Sequence, residues 1–138
     1  MKWLLLFSVV LVNQFINIDS CDCVGPPGGF ICNSAFSARV KVIKEQNIGL
    51  NDRVYIISVE RIYRTNESAR KALEDGKLYS YGSSASCGVD DLYVNHTYIV
   101  TGEVLNGKTQ IGGCDFHFDY NDADDQLKRE FEGPHQCR

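Results

Sequence analysis

Hydrophobic and polar positions alternate most clearly from Phe36 to Ile43, where Phe36, Ala38, Val40 and Val42 share one face and Ser37, Arg39, Lys41 and Ile43 the other. A period of two marks a half-buried β-strand, because successive side chains point to opposite sides of the pleat. Residues 45–52, with Asn47, Gly49, Asn51 and Asp52, form a turn-rich connection. Val54–Tyr63 is dense in β-branched and aromatic residues and predicts a long second strand. Thr65-Asn66 offers a cap for a short helix over Glu67–Glu74, which Asp75-Gly76 stops. Leu78–Tyr81 is a brief third strand running into the small-residue loop 82–88. Tyr93–Val104 reads as a fourth strand, and Asn106-Gly107, suited to a tight hairpin turn, folds it back onto a fifth from Lys108 to Phe118. Asp122–Glu132 reads as a closing helix, with acidic residues early and Lys128 and Arg129 late, where the helix dipole favours each. Leu127 and Phe131, one turn apart, face the core, and Gly133-Pro134 ends the helix. The fold class predicted is mainly β, a small five-stranded barrel with a C-terminal helix packed on it.

The ends of the chain change this picture. Residues 1–20 have the plan of a secretory signal peptide: basic Lys2, an apolar run from Trp3 to Val12, then a more polar stretch ending at Ser20. That run is too short to span a bilayer, and no later stretch approaches the ~20 apolar residues a membrane span needs. Cleavage after Ser20 makes Cys21 the first residue and gives it a free α-amino group, with 21–138 as one domain. Six cysteines follow, at 21, 23, 32, 87, 114 and 137. An even number in a small secreted domain points to three disulfides rather than zinc ligation, with the connectivity left open. Cys21 and Cys23 are too close to bridge each other easily, so each is expected to reach a distant partner. Residues 21–34, rich in Cys, Gly and Pro, read as an irregular arm pinned by its cysteines. The sequons Asn66-Glu67-Ser68 and Asn95-His96-Thr97 mark Asn66 and Asn95 as glycosylation candidates on the surface. The net charge of −4 survives removal of Lys2 with Asp19 and gives no sign of nucleic-acid binding.

Recognisable enzyme chemistry is missing. The chain contains no His-Glu-x-x-His, no glycine-flanked nucleophilic serine and no phosphate-binding glycine loop. His96, His117 and His135 are scattered along the sequence and read as structural or surface histidines. An EF-hand reading started at Asp119 puts Ala123 at a ligand position and Asp124 where the turn needs glycine, so calcium is rejected. No cofactor and no enzymatic activity are expected.

The cysteine frame itself carries a resemblance. A mature start of Cys21-Asp22-Cys23, a further cysteine at 32, then Ser84-Ala85-Ser86-Cys87-Gly88-Val89, Thr97-Tyr98-Ile99-Val100-Thr101-Gly102 and Cys114-Asp115-Phe116 resembles the N-terminal domain of the tissue inhibitors of metalloproteinases. The resemblance covers essentially the whole chain after the signal. It implies an OB-fold-like, netrin-like barrel and the pairs Cys21–Cys87, Cys23–Cys114 and Cys32–Cys137. It also implies a single-domain, invertebrate type of member, similar to those of nematodes. The expected partners are zinc metalloproteinases of the metzincin type, met outside the cell by a monomer with no membrane span and no nucleic-acid partner.

What the resemblance implies mechanistically has a physical rationale. A metalloproteinase zinc keeps one position open for water and substrate. The amine and carbonyl oxygen of Cys21 would take the metal and displace that water, making Cys21 the zinc-binding residue, although the zinc belongs to the target. Cys21–Cys87 would join the arm Cys21, Asp22, Cys23, Val24 and Gly25 to the loop Ser84, Ala85, Ser86 and Cys87 as one ridge that fills the protease cleft. Two positions depart from the family pattern. Asp22 stands where serine or threonine usually enters the protease's primary pocket, and Gly25 stands where proline is expected. A carboxylate in an apolar pocket needs a donor or cation there, so Asp22 either weakens inhibition in general or narrows the target set. The competing reading is a non-inhibitory netrin-like binding module that engages a receptor, matrix component or host protein through another surface.

Overall fold

The structure is a computed structural model that describes residues 21, 29–48, 52–81 and 87–134. Two long strands, β1 (Phe36–Ile48) and β2 (Asp52–Thr65), form an antiparallel ribbon in register from Phe36↔Thr65 to Ile48↔Asp52. Irregularities at Ser37/Ala38, Arg39/Val40 and Val42/Lys44 add twist, as bulges do, and let β1 curve. Strand β3 (Lys77–Tyr81) pairs antiparallel with β2, and β5 (Lys108–Gln110) runs parallel to β3 at Tyr79↔Gln110. Strand β4 (Thr97–Leu105) pairs with β5 on one edge and returns to β1 on the other, Phe36↔Gly102 to Lys41↔Thr97. The ring β1-β2-β3-β5-β4-β1 is therefore closed, giving the five-stranded barrel that the alternation predicts. A sixth strand, β6 (His117–Asp119), adds to β4 at Tyr98–Val100.

Phe36, Ala38, Val40 and Val42 are all fully buried and face Tyr55, Ile57, Leu78, Tyr98, Val100 and Ile111. Helix α2 (Glu67–Leu73) packs Ala69 and Leu73 onto this core, and the Asn66 side chain caps it by accepting the Ala69 N–H at 2.8 Å. A second cluster lies apart from the first. It gathers Ile31 from α1 (Gly29–Asn33), Ile99 from β4 and Phe131 from α3 (Asp125–Glu132), flanked by Phe116, Phe118, Tyr63, Tyr120 and Leu127. Phe131 meets Phe116 and Phe118 at ring-centroid distances of 4.8 and 5.2 Å. Arg39 also binds Glu132 of α3 at 3.3 Å, and the Tyr63 hydroxyl donates to the same carboxylate at 2.9 Å.

Several expectations need correction. The turn-rich stretch from Glu45 continues β1 to Ile48, because cross-strand pairing with Arg53–Tyr55 holds it extended despite its composition. Tyr93–His96 is a turn rather than strand, since Asn95 takes φ 69° and the His96 N–H bonds back to the Tyr93 carbonyl. The single strand expected over Lys108–Phe118 is split. Pairing moves from Glu103↔Gln110 to Val100↔His117, three residues along β4 against seven along the segment paired with it, and the surplus forms the excursion 111–116. The arm contains the one-turn helix α1; Arg64 donates to its Ile31 carbonyl at 2.8 Å and to the carbonyl of Ser34, just past its end, at 2.6 Å. The closing helix begins at Asp125 instead of Asp122, because the Asp124 carboxylate caps it by accepting the Leu127 N–H at 2.8 Å. Among the described residues no helix is long and apolar enough to cross a membrane. The expected signal peptide lies outside them.

Candidate functional site

Cys21 is half-buried and bonded to Cys87, with Cα atoms 5.5 Å apart. Cys87 has φ 62°, a left-handed conformation that costs a non-glycine residue about 1 kcal/mol, and the barrel holds it from two sides. On its C-terminal side Val89 is fully buried, its N–H donates to Ser80 Oγ at 2.7 Å and its carbonyl accepts the Tyr55 hydroxyl at 2.8 Å. Burial raises the Tyr55 hydroxyl pKa despite the opposing hydrogen bond and charge of Arg53. That keeps it a proton donor to Val89. Arg53 also donates to the Asp90 carbonyl at 3.2 Å.

On the other side, the Cys87 carbonyl accepts the Gly113 N–H at 2.7 Å. Gly113 belongs to the excursion 111–116, which is itself anchored at both ends. Ile111 N–H donates to Tyr79 O at 2.9 Å, Phe116 N–H donates to Thr101 Oγ1 at 2.8 Å, and Thr101 N–H returns to Phe116 O at 2.8 Å. The site is thus a first cysteine tied to a strained loop cysteine, which in turn is pinned to β2, β3 and the β5–β6 connection.

Of the residues expected in the ridge, Cys21 and Cys87 are brought together, while Asp22, Cys23, Val24, Gly25, Ser84, Ala85 and Ser86 lie outside the described residues. Cys32 and Cys114 are also disulfide-bonded. The cysteines expected opposite them, Cys137 and Cys23, lie outside the described residues too. Asn66 and Asn95 are both exposed, the first as a helix cap and the second at a turn. Two of the histidines that read as scattered converge. His96 and His117 line one shallow depression of about 250 Å³ with Asp91, Tyr93, Tyr98 and Asp119. Each ring meets a carboxylate: His96 Nδ1 lies 2.6 Å from Asp119 Oδ2, and His117 Nε2 lies 3.1 Å from Asp91 Oδ1. For Asp119, burial pushes the carboxyl up, but the bonds from His96 and Asn121 outweigh it and the net shift is down. Among the described residues no group of three or more His, Cys, Asp or Glu side chains could hold a metal ion. His135 lies outside the described residues.

Sequence reasoning missed the supports: Tyr55, Ser80, Gly113 and Asp115. Tyr55 and Ser80 read only as strand positions, and the Gly112-Gly113 pair just before Cys114 was the available sign of an interrupted strand.

A closed five-stranded barrel with Cys21 held against it through the disulfide to Cys87 defines a small cystine-braced module. Residues 19–137 match the sequence profile of the family described as "Tissue inhibitor of metalloproteinase". A curated relative of that description from Drosophila melanogaster is 28% identical over 109 residues, covering 75% of this chain and 51% of its own length. The chain thus belongs to the tissue inhibitor of metalloproteinase family, and it spans about half the length of that relative.

Proposed function

We propose that this protein is a secreted inhibitor of zinc metalloproteinases of the metzincin type, and that it acts through the free amine and carbonyl oxygen of Cys21 once the signal is removed after Ser20. The observation that carries the reading is the fixation of Cys21. Its disulfide partner Cys87 is tied to the barrel through Gly113 and Val89, so the proposed metal-binding end has little freedom to lose on docking. Family membership supports metalloproteinases as the targets. The amine must be neutral to donate its lone pair. An α-amino pKa of about 7.7–8.0 leaves a useful neutral fraction at physiological pH, and coordination draws the equilibrium further. Asp22 selects proteases whose primary pocket offers a donor or cation, and Asn66 and Asn95 carry glycans.

The test is titration of the purified secreted protein, after N-terminal sequencing, against a panel of metzincins and serine proteases. A Cys21 start with stoichiometric inhibition confined to metzincins supports the reading. A start before Cys21, or no inhibition across the panel, removes it in favour of a non-inhibitory binding module.

A further inference from the structure

The excursion 111–116 holds a carboxylate that the mechanism above does not use. Asp115 Oδ2 accepts the Gly112 N–H at 2.7 Å, and the Asp115 N–H donates to the Gly112 carbonyl at 2.9 Å. One residue therefore closes the turn twice, by side chain and by backbone. From the other side of the turn, the Gly113 N–H donates to Cys87 O at 2.7 Å. A Cβ on Gly112 would stand 3.4 Å from that oxygen and 3.7 Å from Asp115 Oδ2, so the carboxylate and the Cys87 carbonyl flank the same glycine. The contacts run from Asp115 through Gly112-Gly113 to Cys87, and across the disulfide to Cys21.

An asparagine would accept the same N–H without bringing a charge into a partly buried turn. Burial pushes the Asp115 carboxyl up to about 6, Glu103 on β4 adds to that, and the Gly112 N–H and His117 on β6 oppose it. His117 is itself paired with Asp91 at 3.1 Å. What the charge supplies is a stronger hydrogen bond, roughly twice that of a neutral acceptor. A carboxylate in a partly buried turn, two hydrogen bonds and a disulfide from the proposed binding end, fits a positional role better than a packing role.

We propose that Asp115 is a positioning residue for inhibition, fixing the Gly112-Gly113 turn against Cys87 and thereby holding Cys21 in its docking orientation. The inference rests on the proposed function for its inhibitory readout. Asp115 acts through Cys87 and touches neither protease nor metal.

Inhibition constants for the wild type, Asp115→Asn and Asp115→Ala should be measured against one metalloproteinase between about pH 5 and 8.5. Each variant is divided by the wild type at the same pH, so the titrations of the protease and of the Cys21 amine cancel. At pH 8, Asp115→Ala should bind about tenfold more weakly and Asp115→Asn about threefold. The Asn ratio should fall to one as the wild-type carboxyl protonates, with its midpoint near 6. A ratio flat with pH, or both variants equal to the wild type at pH 8, overturns the proposal. Amide hydrogen exchange at Gly112 and Gly113 reads the turn without any protease, and unchanged protection in Asp115→Ala also overturns it. A wild type that inhibits no metalloproteinase overturns the proposed function and the inhibitory role with it. Faster exchange in Asp115→Ala would then still support Asp115 as the residue that holds the turn.

Discussion

Replacing Gly102 with alanine places a methyl group where β1, β4 and β5 meet. Its Cβ would lie 2.5 Å from the Gln110 carbonyl oxygen, 2.8 Å from Phe36 Cζ and 3.0 Å from Ile111 Cγ2. None of these can yield cheaply. Gln110 is fixed between Glu103 and Tyr79, and Phe36 and Ile111 are fully buried. Overpacking of this kind costs about 1–3 kcal/mol, and the upper end applies because the nearest obstacle is backbone. The lower unfolded-state entropy of alanine offsets about 0.4–1 kcal/mol of it. The expected net loss is about 2 kcal/mol, or roughly 10 °C in Tm for a domain of this size. Equilibrium unfolding in guanidinium with the disulfides intact measures it directly. A loss below about 0.5 kcal/mol would mean that the junction has slack, and that the barrel is less tightly closed than the β4–β5 and β1–β4 pairings imply.

Other substitutions test the supports one at a time. Asp115→Asn should be more stable than the wild type against global unfolding at neutral pH, because burying the carboxylate costs more than its stronger bond to the Gly112 N–H returns. The folded carboxyl titrates near 6 instead of 3.8, so folding favours the protonated form, and the stability that form confers is lost as pH rises through about 6. The gap should reach at most roughly 3 kcal/mol at pH 7.5 and close below about pH 4, and urea midpoints across that range will show it. Tyr55→Phe leaves the Val89 carbonyl without its donor and should cost about 1–3 kcal/mol, with faster amide exchange around Val89 as the local sign. Phe131→Ala empties the centre of the second cluster and should cost about 3–5 kcal/mol, with loss of the near-ultraviolet aromatic signal if α3 detaches.

The barrel was legible wherever one local signal decided the outcome. The alternation from Phe36 to Val42 became the inner face of β1, Asn66 became a helix cap, and Asn106-Gly107 became the β4–β5 turn with positive φ at both residues. The misreadings fall where pairing or packing partners, near or far in sequence, override local composition. Asn47 pairs with Arg53 and extends as strand, and α1 is held by Arg64 and by burial of Ile31 rather than by helix propensity. The excursion 111–116 was read as strand because Ile111 and Phe116–Phe118 suit one. Its surplus residues show only in the register of β4 with two different partners. The candidate site divides in the same way. The cysteines and the family motif pointed to Cys21 and Cys87, whereas Tyr55, Ser80 and Asp115 acquire roles only once folding brings β2, β3 and the excursion around Cys87.

The proposed inhibition depends most on the Cys21 amine. Inhibition should be compared for the native protein, the Nα-acetylated protein and a form extended by one alanine before Cys21, with melting curves confirming that all three fold alike. Loss of inhibition in both modified forms at unchanged stability is the predicted result. Undiminished inhibition in either would contradict a mechanism based on that amine.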